Sequence, residues 1–173
     1  IQWSDRENNN LWAAAATNEA GSIELQTSGV IQCGVRVQNQ ALILTTTDAH
    51  TATYSGPPYV YGVERVGTSC GCVSAQGVAV VDMGAVWMGR ESFFVYSGGT
   101  VQELASDVSD YIYSDINVAQ MSKIVAVSNA KFSEIRWFYP SAESTENNRY
   151  VAFNYQENTW TIGQIARTAA ADA

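Results

Sequence analysis

The stretch 77–104 has the sequence "GVAVVDMGAVWMGRESFFVYSGGTVQEL" and predicts an all-β fold more clearly than any other part of the chain. Its short apolar runs are rich in Val, Phe and Tyr, and Gly, Ser and Asp residues separate them. Runs of this kind are typical of β-strands joined by turns. Because "VAVV" and "FFVY" are apolar at successive positions, a sheet built from them needs cover on both faces.

The same order of segments occurs three times: an apolar strand, a second strand that ends in a turn, and a closing strand. The copies cover residues 41–67, 77–106 and 123–167, and their turns are "YSGPP", "YSGG" and "YQENT". Upstream, "IQWSD" and "GSIELQTSG" resemble the remains of a preceding unit. Such repetition predicts a repeat architecture.

The spacing of the closing strands indicates which architecture this is. They align on a step from an apolar residue to Glu, at Glu24, Glu64 and Glu103, which are 40 and then 39 residues apart. Gln164 takes this position in the last copy after 61 residues, and a linker and a long turn account for the extra length. Units of about 40 residues made of strands are typical of β-propeller blades. Blades stacked around an axis also cover both faces of each sheet.

We therefore expect residues 1–173 to be part of a single β-propeller domain. The expected units are a blade remnant at 1–30 and blades at about 31–67, 68–106 and 117–167. These are about three to four blades of a larger ring, since propellers have about four to eight blades. The chain begins within a strand-like run and ends on "RTAAADA", so we expect it to be a segment of a longer protein.

Helices are expected to be few. The alanine-rich stretch 8–21 is the best candidate, but its strand-like neighbours favour an irregular segment. Asp115 precedes "INVAQMSKI" and is expected to cap a short helical turn there.

The charge of the chain excludes one class of function. The net charge is −8, and the nine Lys and Arg residues are scattered with no two adjacent. Nucleic-acid binding through a basic surface needs clustered cations, so we expect no sequence-specific nucleic-acid binding. No run reaches the roughly 18 apolar residues of a membrane-spanning helix.

Residues that could carry catalysis are sparse. The single His50 is expected in a solvated turn, and neither a Gly-x-Ser-x-Gly elbow nor a phosphate-binding loop occurs. The acidic cluster at Asp107, Asp110 and Asp115 lacks the spacing of a calcium loop. Three cysteines, with "CGC" at 70–72, match no zinc spacing and favour free thiols. We therefore predict no enzyme and assign no catalytic, cofactor-binding or metal-binding residue.

A resemblance points to a class of protein. The segments that carry it span nearly the whole chain in matching order: "IQWSD", "TNEAGSIEL", "GPPYVYGVERVGTSCG", "VWMGRESFFVYSGGTVQEL", "DYIYSDINVAQMSKI", "EIRWFYPSAESTENNRYVAFNYQENTW" and "RTA". Together they resemble a family of tailed-bacteriophage virion proteins, which are strand-rich, propeller-bearing components of the tail or the head-to-tail connection. The C-terminal "RTAAADA" departs from that pattern, because an aromatic residue is expected soon after "RTA".

The resemblance implies a structural, non-enzymatic role. Copies of the protein would assemble with one another and with other tail or connector proteins around the tail axis, as a nozzle, hub or tip. The protein would then be made in the host cytoplasm and located in the virion. The family provides no catalytic residue to transfer.

The alternative function is a carbohydrate- or receptor-binding propeller module at the tail tip, which would contact a host surface glycan. The aromatic stretch 134–165 would supply the sugar-stacking residues, namely Trp137, Tyr139 and Trp160. Exposure decides between a binding face and a core, since a binding face needs exposed, coplanar rings. A propeller hydrolase is a third alternative and needs two carboxylates within about 10 Å in one cleft.

Overall fold

The computed structural model describes residues 1–167 and 169–170, and it is built mainly from antiparallel strands. Position 168 and positions 171–173, which belong to the predicted end of the domain, lie outside the described residues. The strands are β1 (Gln2–Trp3), β2 (Gly21–Ser22), β3 (Ile31–Val37), β4 (Gln40–Thr45), β5 (Ala49–Gly56), β6 (Val60–Gly67), β7 (Val78–Val81), β8 (Gly84–Met88), β9 (Phe93–Ser97), β10 (Thr100–Leu104), β11 (Val125–Asn129), β12 (Glu134–Tyr139), β13 (Arg149–Asn154) and β14 (Thr159–Gln164). The helical elements are α1 (Ser109–Asp115) and the 3-10 helices Val118–Lys123 and Ala130–Phe132.

The long strands form four-stranded sheets in which each strand pairs with the next along the chain. The first sheet has the order β3–β4–β5–β6, the middle sheet β7–β8–β9–β10 and the third sheet β11–β12–β13–β14. The short strands β1 and β2 pair with each other. Each long sheet lies inside one of the ranges 31–67, 68–106 and 117–167, while the assignment of 1–173 to one domain stays a prediction.

The three long sheets pack face to face with equivalent strands beside one another. The first strands β3, β7 and β11 are neighbours, and the outer strands β6 and β10 also meet. Gln76 and Val125 form a parallel bridge between the middle and third sheets, and the Ala126 N–H donates to the Gln76 carbonyl at 2.7 Å. Four-stranded meanders stacked in chain order are a β-propeller-like arrangement. The prediction of an all-β, propeller-like fold is confirmed at this level.

The middle sheet separates two apolar cores, because successive residues of a strand point to opposite faces. In β8, Ala85 and Trp87 pack toward the first sheet, whereas Val86 and Met88 pack toward the third. All four side chains are fully buried. The continuous apolar runs of this stretch therefore serve two interfaces at once.

Each sheet has one strand more than the three segments of the sequence repeat. In the middle sheet the run "GVAVVDMGAVWMG" forms a hairpin, with Val81 paired to Gly84. Gly84 has φ +133°, and a Cβ there would lie 2.0 Å from the Tyr96 carbonyl oxygen. The hairpin therefore requires glycine at this position.

The linker between the middle and third sheets contains α1, which the sequence analysis did not predict. Asp115 ends α1 and forms a 3.1 Å ion pair with Arg149, so the prediction that it caps a helical turn is wrong. Asn117 caps the following 3-10 helix instead, because its side chain accepts a hydrogen bond from the Ala119 N–H. The linker also covers the core between the middle and third sheets with Ile112, Ile116, Met121 and Ile124. In the described part of the chain, no helix has the length and apolarity to cross a bilayer.

The N-terminal segment lies against the outer face of the first sheet, which is the face that points away from the middle sheet. Residues 8–20 form turns and bends without a helix, as expected. Residues 23–29 follow β2 with side chains that are alternately half-buried and exposed. The Thr27 hydroxyl donates to Asp48 Oδ2 at 2.7 Å, which fastens this segment to the turn between β4 and β5. The predicted closing strand at Glu24 thus lies just beyond β2.

Candidate functional site

The three residues assigned from the sequence to sugar stacking lie in or beside the core between the middle and third sheets. Trp137 and Tyr139 have no exposed surface, and Trp160 is half-buried. The Trp160 ring lies 4.6 Å from the Phe153 ring and 4.7 Å from the Phe93 ring, between centroids. The indole N–H groups of both tryptophans donate to backbone carbonyls, so they are already engaged.

This burial corrects the assignment of a stacking role. Strand β12 alternates, with Ile135, Trp137 and Tyr139 facing the core and Arg136 facing away. A ring enclosed by neighbouring side chains offers no face to a sugar. Trp137 and Tyr139 therefore stabilise the stack of sheets, whereas the half-buried Trp160 keeps part of its surface exposed.

His50 is a buried strand residue and not a solvated turn residue, so that expectation is wrong. It lies in β5 with 2% of its surface exposed. Neither ring nitrogen has a well-formed hydrogen bond among the described residues, although the Gln26 backbone lies close enough to affect the ring. Burial lowers the pKa of His50, and it outweighs the opposite effect of the Asp48 carboxylate. The neutral imidazole is therefore favoured in the folded protein.

The three cysteines are free thiols near the core between the first and middle sheets. The neighbouring Cys72 thiol lowers the pKa of Cys33, and Cys33 together with burial raises that of Cys72. Cys72 Sγ also donates to the Ser74 carbonyl at 3.1 Å. Burial raises the pKa of Cys70 to about 11. Two of the three thiols are thus held protonated as parts of the core.

The acidic cluster of the linker is dispersed in the structure. Asp107 and Asp110 are exposed, whereas Asp115 pairs with Arg149. Within residues 1–167 and 169–170, no group of three or more His, Cys, Asp or Glu side chains is placed to hold a metal ion.

The edge formed by the first strands is apolar and open. We call it the inner edge and define it by Val30, Ile31 and Val80, whose exposed fractions are 71%, 49% and 43%. β3 and β7 are end strands of their sheets, so each has backbone groups without a partner strand in that sheet. Open strand edges with apolar side chains favour contact with another β surface.

A second exposed feature lies on the outer face of the first sheet. Trp3, Tyr54 and Tyr61 line a cleft of about 360 Å³ between the N-terminal segment and the hairpin of β5 and β6. This cleft could not be predicted from the sequence, because Trp3 and Tyr61 are distant along the chain and no local pattern links them.

Comparisons with known proteins give no family. No protein-family model matches the chain, and no characterised protein matches it in sequence. Among solved structures, the chain is similar to the Pan2 WD40 domain of Neurospora crassa, with 11% identity, a TM-score of 0.47, and coverage of 80% of this chain and 39% of that one. It thus spans well under half the length of that structure.

Two plant seed structures are also similar to the chain. A 2S albumin seed protein from Dolichos has 13% identity and a TM-score of 0.38, covering 79% of this chain and 69% of that one. A hemopexin-fold protein from cow pea has 12% identity and a TM-score of 0.36, covering 79% and 68%. All three TM-scores lie below 0.5, so the description as propeller-like rests on the sheets of this chain themselves.

Proposed function

We propose that the protein is a non-enzymatic structural component of a bacteriophage virion, in the tail or the head-to-tail connection, where it serves as a nozzle, hub or tip. Copies assemble with one another and with other tail or connector proteins around the tail axis. The assignment to a virion is supported by the sequence resemblance alone. The assignment to an assembly is supported by the inner edge and the stacked sheets.

The inner edge is the observation that carries this proposal. In a propeller the first strand of each sheet lies nearest the axis. The first strands β3, β7 and β11 of this chain likewise lie beside one another. Exposed Val30, Ile31 and Val80 there would be covered in a larger ring or against another subunit. We therefore propose that the three sheets are part of a ring of about four to eight blades.

The chemistry of the side chains supports a role without catalysis. The single histidine is buried, and burial keeps its imidazole neutral and inaccessible to a substrate. A charged fraction of 15% is low and suits a subunit that buries much of its surface against neighbours.

The experiment is to determine the mass and symmetry of the full-length protein's assembly by mass photometry and electron microscopy. We expect a ring of several copies around a channel. A monodisperse monomer that is absent from virions would overturn the proposal.

A matched pair of variants locates the contact. Val80→Asp places a carboxylate on the inner edge, whereas Gln102→Asp places one on β10, at the opposite edge of the same sheet. We expect Val80→Asp to weaken assembly at least about tenfold, because an unpaired charge is costly to bury, and Gln102→Asp to leave it unchanged. Equal assembly by both variants would contradict the use of the inner edge.

A further inference from the structure

We propose that the cleft lined by Trp3, Tyr54 and Tyr61 binds a quaternary or methylated ammonium group. The geometry and the charges of the cleft support it independently of the virion assignment. The cleft has a volume of about 360 Å³ and is also lined by Ser4, Asp5, Arg6, Glu19 and Val60.

The aromatic rings are inclined steeply to one another. The Trp3 and Tyr61 centroids are 5.2 Å apart with an interplanar angle of 63°, and those of Tyr54 and Tyr61 are 5.6 Å apart at 73°. Both pairs are edge-type contacts, and they share Tyr61. Rings set at steep angles around a small space are the arrangement that surrounds a methylated ammonium ion, because each ring face attracts the cation.

The same angles argue against a sugar platform. A sugar ring stacks on a flat aromatic surface, and rings inclined by 63° and 73° do not provide one. The Trp3 indole N–H is also unavailable to a sugar hydroxyl, since it donates to the Glu19 carbonyl at 2.7 Å.

The tryptophan wall of the cleft is held in place before any ligand binds. Besides the bond to Glu19, the Trp3 ring packs on Gly21, where a Cβ would lie 2.6 Å from the ring. The Glu19 N–H in turn donates to Asp5 Oδ1 at 2.8 Å, which ties together the two ends of the N-terminal segment. A site whose wall is already ordered loses less entropy on binding.

The charges of the cleft favour a cation. Asp5 and Glu19 contribute two carboxylates against one guanidinium from Arg6, and the whole chain carries −8. The ion pairs found among the described residues all involve side chains in the range 115–149, away from the cleft. The two carboxylates are thus free of ion pairs and add a long-range attraction to the cation–π contacts.

The test is calorimetric titration of the full chain with choline and with 3,3-dimethyl-1-butanol, which has the same shape without the charge. We expect choline to bind at least about tenfold more tightly, because cation–π and carboxylate interactions act on the cation alone. Equal binding of the two, no binding of choline, or binding of glucose or galactose in its place would overturn the proposal.

Matched variants at the cleft make the test specific. Tyr61→Leu is expected to weaken choline binding about tenfold and Tyr61→Phe to preserve it, since the ring and not the hydroxyl attracts the cation. Tyr59→Leu is the control, because Tyr59 is 80% exposed on the same hairpin but does not line the cleft. Circular dichroism checks that the variants are folded. An equal loss of choline affinity in folded Tyr59→Leu and Tyr61→Leu would also overturn the proposal.

Charge variants test the electrostatic part. Asp5→Asn keeps the oxygen that accepts the Glu19 N–H and removes the charge, so it is expected to weaken choline binding a few fold. Arg6→Gln removes the opposing cation and is expected to strengthen binding a few fold. Shifts in the reverse directions would show that the carboxylates do not attract the ligand.

Discussion

The middle sheet and the outer face of the first sheet contain similar residues, but a neighbouring sheet covers the former and the N-terminal segment covers the latter. In the middle sheet Trp87 is fully buried and stacks on Phe94 at 5.9 Å, beneath the first sheet. On the outer face, Tyr54 and Tyr61 are 51% and 36% exposed beneath an irregular segment. A second sheet covers whole rows of side chains, whereas the N-terminal segment leaves part of a row open. Cover, and not composition, therefore decides whether an aromatic ring is core or candidate site.

The largest expected effect distinguishes these two regions directly. Trp87→Ala is expected to lower the free energy of unfolding by about 3–5 kcal/mol, because it leaves a cavity. It also removes the 2.7 Å hydrogen bond from its indole N–H to the Cys70 carbonyl. Tyr61→Ala is expected to cost about 1 kcal/mol or less, since its ring is partly solvated already. Urea unfolding followed by circular dichroism measures both, and equal losses would contradict the comparison.

An intermediate effect is expected from glycines of the middle sheet. Gly84→Ala places a Cβ against the Tyr96 carbonyl at φ +133° and is expected to cost about 2–4 kcal/mol. Gly98→Ala at φ +60° has no heavy atom within 4 Å of its Cβ and is expected to cost only about 1 kcal/mol. Thermal unfolding of both variants measures which substitution costs more stability. A cost at position 98 as large as that at 84 would show that packing around the turn is not the cause.

The smallest expected effect concerns the pH dependence of stability through His50. Burial lowers its pKa in the folded protein, whereas in the unfolded chain the His50 imidazole titrates near 6.5. The unfolded state then binds more protons below pH 6.5, so stability is present above that pH and falls as the pH decreases through the folded pKa.

The replacement His50→Gln isolates the contribution of His50 to this pH dependence. The free energy of unfolding of His50→Gln should change less between pH 7 and 5.5 than that of the parent chain. The free energies of unfolding are measured by urea titration at the two pH values. An identical change in both chains would show that water reaches this ring beneath the N-terminal segment.

Much of the sheet structure could be predicted because its causes are local. The runs around Val86 and Phe93 are apolar at successive positions, and such runs form strands covered on both faces. The helix α1 could not be predicted in this way, since it has seven residues and a polar sequence. Its place depends on the fit of Ile112 into the core and on the pairing of Asp115 with Arg149.

The candidate sites were harder to predict because exposure is a property of the whole fold. Trp137 lies in an aromatic stretch whose density alone does not distinguish core from surface, although its alternation with Arg136 indicated two different faces. Trp3 and Tyr61 come together only when the N-terminal segment folds over the first sheet. The residues around Trp3 and those around Tyr61 show no spacing that predicts this contact.

The order of strands in chain sequence has a consequence for synthesis on the ribosome. Each sheet pairs only neighbours along the chain, so it can form soon after it emerges, as is usual for topologies of low contact order. The middle sheet is complete at Leu104, but β12 and β13, which cover one of its faces, are complete only about 50 residues later. At about 5–20 residues per second this leaves an apolar face uncovered for roughly 3–10 s, an interval in which a nascent chain is exposed to aggregation and to chaperones.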